Sequence, residues 1–325
     1  MRALFVRLLI LGIVRILNAV SGSVVVSAFY KFVDIDDIDA LRSPLLTRCV
    51  ELEMSGSILI ANEGINGTVA GSRASTDELF EWLRSDLRFV DLLTKESFAD
   101  EVPFKRMKVR RKSEIVSLRH DVDPNQTVGT YVKPAEWNDV ISDPEVFVVD
   151  TRNVEEISIG TFTGAVDPGT TAFSEFADWV EETLDPETHT KVAMFCTGGI
   201  RCEKASSYML EKGFDEVLHL EGGILNYLEK VPESDSMWEG ECFVFDERVS
   251  VDHDLNAGQY DLCRGCRRVV SKADERSPEF EEGVSCPACF GGLTPEKMES
   301  LRERHRQQRA AEERGERHVG QVLDS

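Results

Sequence analysis

The segment Lys191-Val-Ala-Met-Phe-Cys196-Thr-Gly-Gly-Ile-Arg201-Cys202-Glu-Lys-Ala205 constrains this chain more than any other. Apolar residues run straight into Cys196, two glycines follow, and Arg201 stands ahead of helix-forming residues. The pattern predicts a buried strand, a tight loop and the first turn of a helix. Such a loop turns successive backbone N–H groups inward, and the helix N-terminus adds partial positive charge. A cysteine facing that concavity has a lowered pKa, and its thiolate is the attacking form. The cradle formed by Thr197, Gly198, Gly199, Ile200 and Arg201 suits an anionic adduct such as a persulfide. Inert burial of a small thiol at a strand end does not account for Gly-Gly-x-Arg directly after it. Cys196 is therefore the catalytic candidate.

Four residues separate Cys196 from Arg201. The loop is one residue shorter than the Cys-x5-Arg loop of cysteine phosphatases, so it suits a single outer sulfur better than a phosphate group. In this it resembles the active loop of rhodanese domains, in which the first cysteine carries the persulfide. Around it, residues 131–238 alternate strands and helices. Val146–Asp150, Val192–Phe195 and Val217–Leu220 read as strands, and 173–184 and 203–212 as helices. That order implies a parallel sheet with its site at the strands' C-terminal ends, where Cys196 falls. Gly160–Ala165 reads as a turn, and Asp150 with Arg152 as a structural ion pair.

Ahead of this domain, residues 23–112 predict a β-α-β-β-α-β order: a ferredoxin-like α+β domain with an antiparallel sheet. The strands are 24–30, 57–61, one resuming at Thr68, and a last one ending near Val109. Asn62–Gly67 reads as a turn whose two glycines are free to take positive φ, and Ser75 as the cap of a helix over 76–87. Residues 113–130 form a linker. Residues 239–296 carry Cys263-Arg-Gly-Cys266 and Cys286-Pro-Ala-Cys289, with nineteen residues between the pairs. Two such knuckles match tetrahedral thiolate ligation of structural zinc. Two reducible disulfides are the competing reading, but short Cys-x-x-Cys rings make poor staples. Residues 297–325 form a charged tail, read as a solvated helix or a fraying end. The fold class expected is thus a multidomain α/β and α+β protein with a small four-cysteine module.

The chain has 325 residues and a net charge of −22, which repels nucleic acid unless a local basic patch overrides the field. One such patch exists. Lys105, Arg106, Lys108, Arg110, Arg111 and Lys112 place six basic residues in eight. Most charge runs are only a solvated face, yet a cationic stripe is also what docking a phosphate backbone requires. Eight cysteines, five of them in the loop and the paired knuckles, fit a reducing compartment and a cytoplasmic location. Residues 1–22 hold three arginines and no acid, with only Leu8–Val14 between the last two. That run is too short to span a bilayer of about 20 residues. It reads as a disposable extension, with a targeting peptide or a membrane-surface helix as alternatives.

Taken together, Ala61-Asn-Glu-Gly-Ile-Asn-Gly-Thr68, Phe104-Lys-Arg-Met-Lys-Val109, Asp150-Thr-Arg-Asn153, Phe195–Lys204 and His219-Leu-Glu-Gly-Gly-Ile-Leu-Asn226 resemble one family. It is the rhodanese-containing tRNA uridine hydroxylases, which make 5-hydroxyuridine at the wobble position. The resemblance runs from about Ser23 to Glu296. It implies tRNA as substrate, molecular oxygen and an electron donor as co-substrates, a protein that donates sulfur or electrons as partner, and Cys196 as the reactive, persulfide-type cysteine. The sequence departs from the common rhodanese pattern at Gly160-Thr161, where histidine often follows the glycine. No flavin or nicotinamide fingerprint is present, and His120, His189, His219, His253, His305 and His318 are scattered. Two alternatives stand beside the hydroxylase: a sulfurtransferase with its persulfide on Cys196, Cys202 being a possible resolving thiol, and a non-catalytic tRNA-binding adaptor.

Overall fold

The computed structural model describes residues 24–314. The readings made for residues 1–22 and for the end of the charged tail therefore lie outside the described residues. Two sheets organise the chain. The first is five-stranded, in the order β4-β1-β3-β2-β5, with β1 Val24–Phe32, β2 Ser55–Ala61, β3 Gly64–Gly71, β4 Thr94–Ala99 and β5 Met107–Arg111. Helices α1 (Ile38–Glu51) and α2 (Arg73–Arg84) cover one face. Strand alternation explains why. Phe29, Ile58, Ile65, Val69 and Val109 point to the helices and meet Leu41, Leu45, Leu79, Phe80 and Leu83 in one core. This is the expected ferredoxin-like domain.

Three local expectations are corrected. The fourth ferredoxin strand is β4, not the segment ending near Val109. That later segment is an added edge strand, parallel to β2 while its neighbours are antiparallel. A basic segment is suited to an exposed edge, where it blocks pairing with another chain. Helix α2 begins earlier than expected because Ser72, not Ser75, is its cap: the Ser72 Oγ accepts the Ser75 N–H at 3.0 Å. Of the two glycines expected in the turn, only Gly64 has positive φ (+149°), and Gly67 lies in regular strand.

The second sheet is four-stranded, parallel throughout, in the order β6-β10-β9-β7. Its strands are β6 (Thr130–Val132), β7 (Phe147–Asp150), β9 (Lys191–Phe195) and β10 (Glu216–Leu220). Between β7 and β9 lies β8 (Gly160–Phe162), which pairs with β11 (Trp238–Gly240), so the expected turn at 160–165 begins as a strand. Helices α3 (Pro134–Ser142), α4 (Val154–Ile157), α5 (Phe176–Thr183), α6 (Ile200–Glu211) and α7 (Gly223–Lys230) connect and flank the strands. The predicted ion pair is here: Arg152 and Asp150 have wholly buried side chains, 2.6 Å apart. The guanidinium also donates to the Glu156 carbonyl and lies 5.1 Å from the Trp238 ring. Removing either partner would strand a buried charge.

The remainder is built from two-stranded ribbons. They are β12 (Cys242–Phe243) with β13 (Ser250–Val251) and β14 (Asp261–Leu262) with β15 (Val269–Val270). The one-turn helix α8 (Pro287–Phe290) and α9 (Pro295–Glu313) follow. The last helix is anchored rather than merely solvated. Leu301 is buried, and Arg302 makes a bidentate pair with Glu281 at 2.7 and 2.6 Å. No helix among the described residues is long and apolar enough to cross a membrane.

Candidate active site

Cys196 directly follows the inner strand β9, and α6 starts four residues later. Gly199, at φ +101°, turns the chain back so that its N–H donates to the Cys196 Sγ at 3.1 Å. A side chain there would need a left-handed backbone and would meet the Tyr30 hydroxyl at 2.9 Å, which explains the glycine. Gly223 is required for a similar reason: a Cβ would lie 2.4 Å from the Cys196 carbonyl. That carbonyl accepts the Ile224 N–H, and the Thr197 carbonyl accepts that of Leu225. The loop is thus clamped between the starts of α6 and α7.

The electrostatics follow from this geometry. Cys196 is only 2% exposed, and burial pushes its thiol up. The Cys202 S–H, the Arg201 charge and the backbone N–H groups of Arg201 and Cys202 outweigh burial and bring it down to about 6. Cys202 goes the other way. Burial first, then the hydrogen bond and charge of Cys196, hold its thiol well above the ordinary value. Of the two sulfurs, Cys196 is the anion and Cys202 the donor. The Thr151 hydroxyl lies 3.6 Å from the Cys202 Sγ.

Arg201 is fixed by Glu156, whose carboxylate takes both of its terminal nitrogens at 2.8 and 3.0 Å. Glu156 also accepts the Asn153 N–H at 3.0 Å at the start of α4. Of the other cradle residues, Thr197 donates to the Phe243 carbonyl at 3.4 Å, Gly198 opens onto free space, and Ile200 packs against Phe32, Ala61 and Ile115. Ile200 is therefore a seam residue between the two domains. At the departure noted above, the Thr161 hydroxyl donates to Asp150 Oδ2 at 2.9 Å.

Sequence reasoning missed the residues brought by the N-terminal sheet. The Lys95 ammonium, from β4, hydrogen-bonds the Gly198 carbonyl and lies 5.6 Å from the Tyr30 ring. Burial lowers the Lys95 pKa to about 8, against the pull of Cys196 and Glu203. The Tyr30 hydroxyl donates to Glu203 Oε1 at 2.7 Å. Burial raises the Glu203 carboxyl, while hydrogen bonds from Tyr30 and Tyr131 oppose the rise. Next along α6, the ammonium of Lys204, itself 1% exposed, meets Glu63 at 2.7 Å and Glu114 at 2.6 Å. No local signal marks Tyr30 or Lys95, because each is defined by a partner about a hundred or more residues away. The site is composite.

The basic segment divides by strand alternation. Lys105 pairs with Glu247 at 3.9 Å and Arg111 with Asp39 at 3.2 Å. Arg106, Lys108, Arg110 and Lys112 have no ion pair within 4.0 Å among the described residues, and Lys108 is lowered by burial and by the charges of Arg106 and Arg110.

In the C-terminal module, the Sγ atoms of Cys263, Cys266, Cys286 and Cys289 lie within 4.8 Å of one another. The 263–289, 266–286 and 286–289 separations are 3.9, 3.7 and 3.8 Å. A disulfide needs about 2.05 Å. Tetrahedral zinc with Zn–S bonds of about 2.3 Å sets its sulfurs about 3.8 Å apart. The donor set fits zinc, as a closed structural site.

Residues 133–230 match the rhodanese-like domain family. The second domain is rhodanese-like. Residues 24–115 match the UPF0176 acylphosphatase-like domain, and the pairing is consistent with a UPF0176 rhodanese-domain family. Among solved structures, the chain is similar to the rhodanese-like domain of an Anabaena sp. protein, at 16% identity, covering 34% of this chain and 78% of that one, TM-score 0.29. It is similar to a rhodanese-related protein from Thermoplasma volcanium at 20% identity, 31% and 93% coverage, TM-score 0.25. It is also similar to reduced Bacillus anthracis CoADR-RHD at 19% identity, 51% and 28% coverage, TM-score 0.31. A rhodanese-like domain with this loop supports a Cys-loop enzyme of the sulfurtransferase or redox type.

Proposed function

We propose that the protein hydroxylates the wobble uridine of tRNA at C5, with Cys196 as the reactive sulfur. What carries the reading is the lowered thiol of Cys196 beneath a lysine from the acylphosphatase-like domain, within a chain whose motifs resemble the tRNA uridine hydroxylases throughout. In this mechanism the Cys196 thiolate adds to C6 of uridine, forming an S–C6 bond and making C5 nucleophilic. C5 attacks a peroxide-level oxygen, formed as dioxygen takes two electrons and two protons from a reduced donor. The O–O bond breaks, one oxygen stays on C5 as the hydroxyl, and the other leaves as water. Loss of the C5 proton then expels the thiolate. Overall, uridine, dioxygen, two electrons and two protons give 5-hydroxyuridine and water. Arg201 holds the sulfur anionic between steps, and the proton on Cys202 remains available to it as a hydrogen bond.

The rhodanese-like domain itself favours a second reading, transfer of the outer sulfur of a Cys196 persulfide to an acceptor thiolate. Mass spectrometry of nucleosides from tRNA treated with the protein, dioxygen and a reductant separates the two. Uridine gaining oxygen, with the gain abolished in Cys196→Ser, is the expected result. A gain of sulfur would establish the transferase instead. An unmodified wobble uridine, with tRNA binding intact in Cys196→Ser, would establish a binding adaptor.

A further inference from the structure

The register of the first sheet places two features of this chain on one surface. Directly paired residues share a face. Lys95 pairs with Ala28, Ala28 with Thr68, Thr68 with Ser57, and Ser57 with Lys108. The next row runs Tyr30, Asn66, Leu59, Arg110. Both rows lie on the face opposite the helices, because Phe29, Ile58 and Val109 between them point into the helix-covered core. At one end of this face Tyr30 and Phe32 pack against Ile200, and Lys95 reaches the Gly198 carbonyl. At the other end lie Lys108 and Arg110 of β5, which have no ion pair within 4.0 Å among the described residues.

The floor between the two ends is only partly buried. Ala28, Thr68 and Ser57 are small and only partly buried, as are Asn66 and Leu59. The two sides are walled. The Asn66 amide holds the Ile115 carbonyl at 2.9 Å, so the 113–118 segment bounds the trough along one side. Arg248 donates to Ser97 Oγ at 2.8 Å, so the C-terminal region bounds it on the other. Four inter-strand steps of about 4.8 Å make the trough roughly 19 Å long. Where it meets the reactive loop stands Tyr131, 45% exposed, its ring 4.2 Å from that of His219.

We infer that this trough is a track for single-stranded RNA, entered at Arg106, Lys108 and Arg110 and ending at Tyr131 beside the loop. A cationic edge leading to an exposed aromatic is the combination that holds an unpaired strand: phosphates on the charges, a base stacked on the ring. Charge complementarity selects this occupant. In a chain of net charge −22, Arg106, Lys108 and Arg110 repel one another, and none has an acid within 4.0 Å among the described residues to neutralise it. The choice of RNA rests on the proposed modification reaction, and the track is what would bring its substrate base to Cys196.

The test is the fluorescence anisotropy of the full chain with a labelled RNA hairpin bearing an unpaired, uridine-containing loop, titrated over a range of salt. The variants are Lys108→Gln/Arg110→Gln, which removes like-charge repulsion and should fold, and Thr68→Trp, which fills the floor without altering charge. The double variant should bind at least about tenfold more weakly, its log–log salt slope shallower by about 0.7 for each charge removed. Thr68→Trp should weaken binding with the slope nearly unchanged. Unaltered affinity in both, or a preference for the blunt duplex over the hairpin, would overturn the track. Failure of the hydroxylation reading would show separately, as intact hairpin binding with no oxygen gained by uridine.

Discussion

The molecule uses cysteine in two opposite ways. At the loop, one sulfur is kept anionic by groups from other residues: the Gly199 N–H, the Cys202 thiol and the Arg201 charge. In the C-terminal module, four sulfurs converge within 4.8 Å of one another, three of their separations being 3.7 to 3.9 Å. The first arrangement leaves one nucleophile uncommitted, whereas the second is a donor set that zinc would fill completely, leaving no sulfur to react. Sequence spacing separates these cases because each is local: Cys-x4-Arg across a strand–helix turn, and two Cys-x-x-Cys knuckles.

The largest effect that would sharpen the contrast is metal removal. Structural zinc is worth about 10–16 kcal/mol in small modules. Chelation is therefore expected to unfold the module between Cys263 and Cys289, which has its own small core, while the parallel sheet keeps its circular dichroism. Metal analysis of the untreated protein should find one zinc per chain, and Cys286→Ser should lose it. A full zinc complement in that variant would break the comparison.

Next in size is the scaffold beneath the loop. Glu156→Ala leaves the buried Arg201 guanidinium without its bidentate partner, a loss expected to cost about 3–5 kcal/mol in urea denaturation. A cost below about 1 kcal/mol would mean that water already solvates Arg201. Smaller again is Tyr30→Phe, which removes the hydroxyl donating to Glu203. The expected loss is about 1 kcal/mol, together with faster alkylation of Cys196 as the domain seam loosens. An unchanged alkylation rate would show that the N-terminal domain does not guard the sulfur.

The same division governs what the sequence made legible. The strand–loop–helix around Cys196, the parallel sheet, the zinc-type spacing and the Asp150–Arg152 pair are each set by neighbours within a few residues or by a strong period. The misplaced fourth strand has a different origin. Thr94–Ala99 is a partly exposed edge strand with a weak apolar signal, so the more regular Met107–Arg111 took its place. Ser72 and Ser75 both satisfy the chemistry of a cap, and only the geometry chooses between them. Lys95 and Tyr30 were illegible for a stronger reason. Their roles exist only where the two domains meet, and no pattern in either segment encodes the other's loop.

The proposed reaction depends on the ionisation of Cys196, which the ultraviolet absorbance of the thiolate reports directly as pH is varied. The folded pKa is depressed, so the thiolate's contribution to stability is fully present above the unfolded thiol's pKa and is lost as pH falls through the folded value. The expected titration midpoint is about 6, absent in Cys196→Ser and unaffected by Cys286→Ser. A midpoint near the ordinary thiol value of about 8.5 would contradict the central claim, because the loop would then hold an unactivated cysteine.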